Sequence, residues 1–383
     1  MKKILSLLTA VILLLTLLTV SASAEEYPQM QVTVNAKSAV LMEASTGEVL
    51  MALNPDLQVY PASVTKIMSL LLVTEAIDRG QIALTDIVSA SRNASGKGGS
   101  QIWLKEGEQM TVDDLLKATA VASANDAITA LGEFVAGSDE AFVDMMNKRA
   151  QELGMKNTHF ENCTGLDDTA DSHLTTAYDI ALMSRELIKH ERVRNYTTIW
   201  MDTLRGGETE LVNTNKLIRF YDGATGLKTG TTSRAGCCVS ATAQRNGLSL
   251  IAVVMGSPSS NDRFDAARAM LDWGFANYAC ARLEIDSALI TPITVINGKQ
   301  DSIIPELPEA LTAVVRKGRE ADIIQVVDMP VDVEAPVENG QSLGSVKFML
   351  DGEELLCYEL KCPELVEKLS FFERYKKLMS AII

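Results

Sequence analysis

Histidine is almost missing from this sequence: three copies in 383 residues, at His159, His173 and His190. They are dispersed and no His-Glu-x-x-His occurs, so they do not read as a metal site. Positive charge is also short, with 35 Lys and Arg against 50 Asp and Glu and a formal net charge of −15. Nucleic-acid binding depends on neutralising phosphates with Lys and Arg, so that class of partner is excluded. A polybasic membrane patch is excluded on the same count. A disulfide framework is lacking too. Cys163, Cys237, Cys238, Cys280, Cys357 and Cys362 are scattered, two of them adjacent, and most read as small buried hydrophobes whose pairing stays open. No internal repeat is evident.

Only one long apolar run is present, from Ile4 to Val20, behind Lys2 and Lys3 and ahead of Ala22-Ser23-Ala24. A basic start, an apolar stretch slightly short for a membrane span and small residues at a cleavage point are the marks of an export signal. Residues 1–24 are therefore read as a signal peptide, with Glu25 as the mature start. The remainder is too long for one ordinary domain and comfortable for two.

Residues 25–282 mix strand and helix patterns. Ala39–Glu43 and Val49–Ala52 flank Ser45-Thr46-Gly47 as a hairpin, and a helix is expected from Ser63, with Ile67, Leu70, Leu71, Thr74 and Ile77 at helical spacing. A second helix follows Thr111, and a third covers Leu174 to Ile188. Cys237–Ala243 and Leu248–Met255 are strands joined at Asn246-Gly247, and a helix from Asp262 to Tyr278 returns onto them. The pattern predicts an α+β fold, an antiparallel sheet flanked by helices. Residues 283–362 are strand-rich and turn-rich, read as a smaller all-β domain, and 363–383 revert to helical spacing as an amphipathic tail.

Three short motifs carry chemistry: Ser63-Val64-Thr65-Lys66, Ser123-Ala124-Asn125 and Lys228-Thr229-Gly230. A hydroxyl in the first turn of a helix brings a lysine three residues later onto the same face. The positive end of the helix dipole, with Lys228 as a second cation nearby, would depress the pKa of Lys66. A neutral Lys66 can take the Ser63 proton, and no histidine is needed. Ser-x-Asn also occurs at Ser91-Arg92-Asn93 and Ser259-Ser260-Asn261. Ser123 is preferred because it lies between two helical runs in a small-residue stretch. Lys-Thr-Gly occurs once, just before the hairpin strands, where an edge strand could line a cleft.

The stretches Tyr60-Pro61-Ala62-Ser63-Val64-Thr65-Lys66, Ala122-Ser123-Ala124-Asn125-Asp126, Thr175-Thr176-Ala177-Tyr178-Asp179 and Gly226-Leu227-Lys228-Thr229-Gly230-Thr231-Thr232 resemble the D-alanyl-D-alanine carboxypeptidases, low-molecular-mass penicillin-binding proteins. The likeness runs from about residue 30 to the C-terminus. It implies a β-lactamase/transpeptidase-like fold, peptidoglycan stem peptides as substrate and β-lactams as covalent inhibitors, with no cofactor and no metal. By the same resemblance Ser63 is the acyl-forming nucleophile and Lys66 its proton acceptor. Ser123 links the two lysines and relays a proton to the leaving D-Ala, while Asn125 holds the substrate amide. Lys228 and Thr229 bind the terminal carboxylate, Gly230 lets substrate lie along the strand, and the Thr231 N–H completes an oxyanion hole with that of Ser63. Arg263 is a lesser candidate for orienting the carboxylate, and His173 for supporting the site wall.

Two rivals share these residues. A serine β-lactamase would add a glutamate and a nearby asparagine, and Glu191-Arg192-Val193-Arg194-Asn195 fits that spacing nominally, but far from Ser123 in sequence. A silent wall-binding scaffold would not need Lys66 opposite Ser63. The exported enzyme would work at the outer face of the cytoplasmic membrane or in the wall. In the tail, Leu365, Leu369, Phe371, Phe372, Tyr375, Leu378, Met379 and Ile382 share one arc if helical, a surface that could lie in a membrane interface.

Overall fold

The computed structural model describes residues 27–308 and 310–380, so the signal peptide expected at 1–24 lies outside the described residues. Its centre is a five-stranded antiparallel sheet of β1 (Ser38–Glu43), β2 (Val49–Leu53), β3 (Ala224–Thr232), β4 (Gly236–Arg245) and β5 (Leu248–Ser257). The order is β2-β1-β5-β4-β3, which puts β3 at an edge. Alternate residues serve two cores. Val40, Met42, Ile251, Val253 and Met255 enter one, and Ala39, Leu41, Leu250, Ala252 and Val254 the other. Both faces are covered, so the apolar runs are nearly continuous.

The first core holds helices α1 (Lys66–Asp78), α2 (Val112–Ala122), α3 (Asn125–Ala136) and α4 (Ala177–Ile188), and the second holds α5 (Ser260–Asn277). Helix α1 is buried all round, with Met68, Leu72 and Val73 as deep as Ile67 and Leu71, so it is a central pillar and not a surface helix. It also starts later than expected. Ala62–Thr65 is a 3₁₀ turn, and the α-helix begins at Lys66. In a 3₁₀ turn residues i and i+3 eclipse, which stacks Lys66 over Ser63. Helix α4 starts at Ala177, because Leu174 and Thr175 are tied in β-bridges to His159 and Val59 before Thr176 caps the helix.

The strand that ends at Leu283 pairs with a strand beyond it. Tyr278–Leu283 leaves α5 without a linker and pairs with Leu311–Arg316. Three strands, Ile324–Asp328, Ser342–Leu350 and Glu353–Lys361, form one of two three-stranded sheets, over a core that includes Val346, Phe348 and Leu360. The tail is not helical throughout. Val366 pairs with Val337 in a buried bridge and Lys368 pairs with Gly298, so among the described residues of the tail only Phe371–Ser380 is helical. A buried Val366 fills the second β core, and that packing overrides helical spacing. The six cysteines are free thiols; Cys163, Cys238 and Cys362 are buried, Cys237 and Cys280 half-buried and Cys357 exposed.

Two close approaches fix the turn at Ser63. Gly165 has φ +83°, and a Cβ there would lie 1.8 Å from the Ala62 carbonyl oxygen. Gly230 in β3 faces the same turn, where a Cβ would sit 2.8 Å from the Ser63 nitrogen and 2.9 Å from the Pro61 oxygen. Gly165→Ala is expected to cost about 2–5 kcal/mol, from a disfavoured φ plus overpacking. Gly80→Ala, also at positive φ but with open space around it, should cost about 1–2 kcal/mol. Urea midpoints of the two variants check the difference.

Candidate active site

Lys66 is fully buried, and its Nζ lies 2.9 Å from Ser63 Oγ and donates to the Thr164 carbonyl at 2.8 Å. That carbonyl is held by Asn162. Its Oδ1 accepts from the Thr164 N–H, the Thr164 hydroxyl and the Gly165 N–H, and its Nδ2 donates to the Leu166 oxygen. Burial pulls the Lys66 pKa down to about 7, with Cys163 and Asp126 opposing. The dominant cause is therefore desolvation and not the second cation. Burial also sets the Lys228 ammonium well below its usual value, and repulsion from Lys66 and then Arg263 adds to it. Two buried amines that repel each other do not both stay protonated at neutral pH.

His173 stands behind this couple, with Nε2 at 2.8 Å from the Thr65 hydroxyl and Nδ1 accepting from the Glu161 N–H. The second bond leaves the proton on Nε2, which then donates to Thr65. Burial keeps the ring neutral, its pKa lowered to about 4. His173 thus supports the wall next to Lys66.

Ser123 ends α2 in the left-handed region, at φ 63° and ψ 29°, and Asn125 opens α3 two residues later. The Asn125 N–H donates to the Ser100 oxygen and its Nδ2 to the Gly98 oxygen. The buried Asp126 carboxylate accepts from the backbones of Ile102, Leu104 and Ala127. Ser123 Oγ and Asn125 Oδ1 are buried with no hydrogen-bond partner among the described residues. The expected link from Ser123 to both lysines is therefore not made. Lys66 is engaged by Ser63 and Thr164, and Lys228 by the Thr229 carbonyl at 2.9 Å. Two orphaned buried polar atoms two residues apart call for a ligand or water. The competing triplets are helix caps: Ser91 Oγ accepts from the Ala94 N–H and Ser259 Oγ from the Asp262 N–H.

On β3, the Thr229 hydroxyl donates to that of Thr214 at 2.7 Å. Arg263 Nη1 donates to the Gly230 oxygen, the Thr231 hydroxyl and the Cys238 oxygen at 2.9, 2.9 and 3.2 Å. Arg263 braces the strand and does not reach into open space. Gly230 is needed first for the approach of β3 to Ser63, a reason distinct from room for a ligand. Sequence reasoning missed Asn162, Thr164, Gly165 and Thr214. Asn162 and Gly165 are turn-type residues with a signal of their own; Thr214 has none.

A serine hydroxyl on a buried lysine, a Ser-x-Asn corner with unfilled polar atoms and a Lys-Thr-Gly edge strand define a serine acyl-transfer enzyme of the penicillin-recognising class. Residues 22–259 match the D-alanyl-D-alanine carboxypeptidase family and residues 286–368 the penicillin-binding protein 5 C-terminal domain. The chain is 40% identical to the D-alanyl-D-alanine carboxypeptidase DacF of Bacillus subtilis, over 99% of this chain and 98% of that one. Its fold is similar to penicillin-binding protein 5 from Haemophilus influenzae, with TM-score 0.74, 31% identity and coverage of 88% and 99%. It is also similar to penicillin-binding protein D2 from Listeria monocytogenes in its cefotaxime-bound form, with TM-score 0.60, 32% identity and coverage of 64% and 100%. The chain belongs to the D-alanyl-D-alanine carboxypeptidase family of penicillin-binding proteins and is a serine hydrolase.

A proton acceptor must be neutral to act. With the Lys66 pKa at about 7, the rate of penicillin acylation should rise with pH, level off above 7 and fall about tenfold per unit well below it. Stopped-flow or mass-spectrometric acylation rates from pH 5 to 9 check this; a flat profile would remove Lys66 as the acceptor.

Proposed function

We propose that this protein removes the terminal D-Ala from peptidoglycan stem pentapeptides through an acyl-enzyme at Ser63, outside the cytoplasmic membrane. The observation that carries the proposal is the 2.9 Å contact between Ser63 Oγ and a fully buried amine whose pKa is about 7. In this reading Lys66 takes the hydroxyl proton as Ser63 attacks the penultimate D-Ala carbonyl. The N–H groups of Ser63 and Thr231 stabilise the oxyanion, which the approach of Gly230 to the Ser63 nitrogen favours. Asn125 Oδ1, left without a partner, accepts from the substrate amide, and Ser123 Oγ relays the proton taken by Lys66 to the D-Ala nitrogen as the C–N bond breaks, so that D-Ala leaves as an amine. The terminal carboxylate lies beside Lys228 and Thr229; its charge raises the proton affinity of Lys228, and repulsion from a charged Lys228 favours the neutral form of Lys66. Arg263 acts through β3, holding Gly230 and Thr231 in place. Water then resolves the acyl-enzyme.

We also divide the chain functionally into an export leader at 1–24, a catalytic domain to 282, a β-rich domain from 283 to 362 and a tail. In the tail helix Phe371, Phe372, Tyr375 and Met379 are exposed at 78, 81, 61 and 44%. No described helix is long and apolar enough to cross a membrane. An amphipathic segment of this kind can rest in the interface, keeping the enzyme beside its wall substrate.

Mass spectrometry after penicillin exposure should show one covalent adduct, mapped to the peptide containing Ser63 and absent in Ser63→Ala. Lys66→Arg should lower both acylation and D-Ala release by about 10²–10⁴-fold, since arginine stays protonated. Retained carboxypeptidase activity in that variant would overturn the role of Lys66. Removal of residues from Phe371 onward should release the protein from membrane fractions with D-Ala release from a soluble pentapeptide unchanged; undiminished membrane binding would refute the anchor.

A further inference from the structure

Trp103 is exposed at 75%, and its backbone is left-handed, at φ 60°. A bulky side chain is seldom held there, and a residue kept in such a conformation points toward function. Its neighbours explain how it is held. Ile102 and Leu104 are buried, and both their N–H groups donate to Asp126. The indole therefore stands outward on a rigid strap, residues 98–104, whose Gly98 and Ser100 carbonyls grip Asn125. Trp103 shares an open groove with Lys105, Glu106, Arg205, Glu208 and Glu210. The groove floor is also fixed, since Arg205 donates to Glu108, to the Ile102 oxygen and to Thr209.

We infer that Trp103 and this groove bind a sugar ring of the glycan strand that carries the stem peptide, an inference that rests on the reading of the substrate given above. A rigid aromatic face gives contact area at little entropy cost and fits the C–H face of a pyranose. Glu106, Glu208 and Glu210 can accept hydrogen bonds from hydroxyl and acetamido groups. With Arg205 paired to Glu108 and Lys105 outnumbered by Glu106, Glu208 and Glu210, the groove disfavours a carboxylated peptide and suits an uncharged amino sugar. The reach also agrees. Four stem residues separate the scissile carbonyl from the sugar, about 14 Å when extended, and Trp103 lies three residues, about 11 Å at most, from the Ser100 contact with Asn125.

The test compares D-Ala release from a disaccharide pentapeptide and from the free pentapeptide, using the full chain and Trp103→Asn, asparagine being at ease in the left-handed region. The expected result is a rise in KM of about fivefold or more for the disaccharide substrate alone, with kcat and penicillin acylation unchanged. Trp103→Phe should restore most of the loss. The peptide-free disaccharide should alter indole fluorescence in the unmodified chain, a readout that survives even if the assigned reaction is wrong. An equal effect of Trp103→Asn on both substrates, no effect on either, or a silent fluorescence titration overturns the proposal.

Discussion

Burying one amine is the constraint from which the site follows. A lysine removed from water cannot hold its proton at the usual pKa, and Lys66 is brought to about 7 by desolvation. An uncharged amine in a protein interior still needs partners. Lys66 finds them in Ser63 Oγ and the Thr164 carbonyl, so the group that must act and the groups that orient it are the same. Around that contact the polar framework is closed: Asn162 fixes the carbonyl, and His173 fixes Thr65 from the other side. Gly165 and Gly230 let two backbones approach the Ser63 turn more closely than a side chain would allow.

The opposite condition holds at the Ser-x-Asn corner. Ser123 Oγ and Asn125 Oδ1 are sheltered from water and unpaired, which is costly in a folded protein unless a ligand completes them. The strap over Asn125 is nevertheless rigid, because Asp126 gathers two of its backbone N–H groups, those of Ile102 and Leu104. A fixed frame with open valences is preorganised for the role proposed for it, because little reorganisation is needed when charge develops.

Much of this was legible in the chain itself. The three motifs, the β-hairpins around Gly47 and Gly247 and the helix ending at Arg79-Gly80 follow from local chemistry, where spacing and turn residues decide. The family likeness was equally plain in the motif sequences. Where packing competes with pattern, the reading slipped. The tail from Pro363 to Ser370 has helical spacing but is extended, because Val366 completes a β core that no local rule reveals.

Sequence alone determined the chemical components: a hydroxyl and an amine three residues apart, a Ser-x-Asn corner and a Lys-Thr-Gly strand. Tertiary structure decided how they act, since burial is a property of the assembled core. It made desolvation, more than a neighbouring charge, the force on Lys66. It left Ser123 unpaired where a bridge to both lysines was expected, and it turned Arg263 into a brace behind β3. Solvent exclusion and close approach arise between segments distant in the chain, so spacing along it carries no record of them.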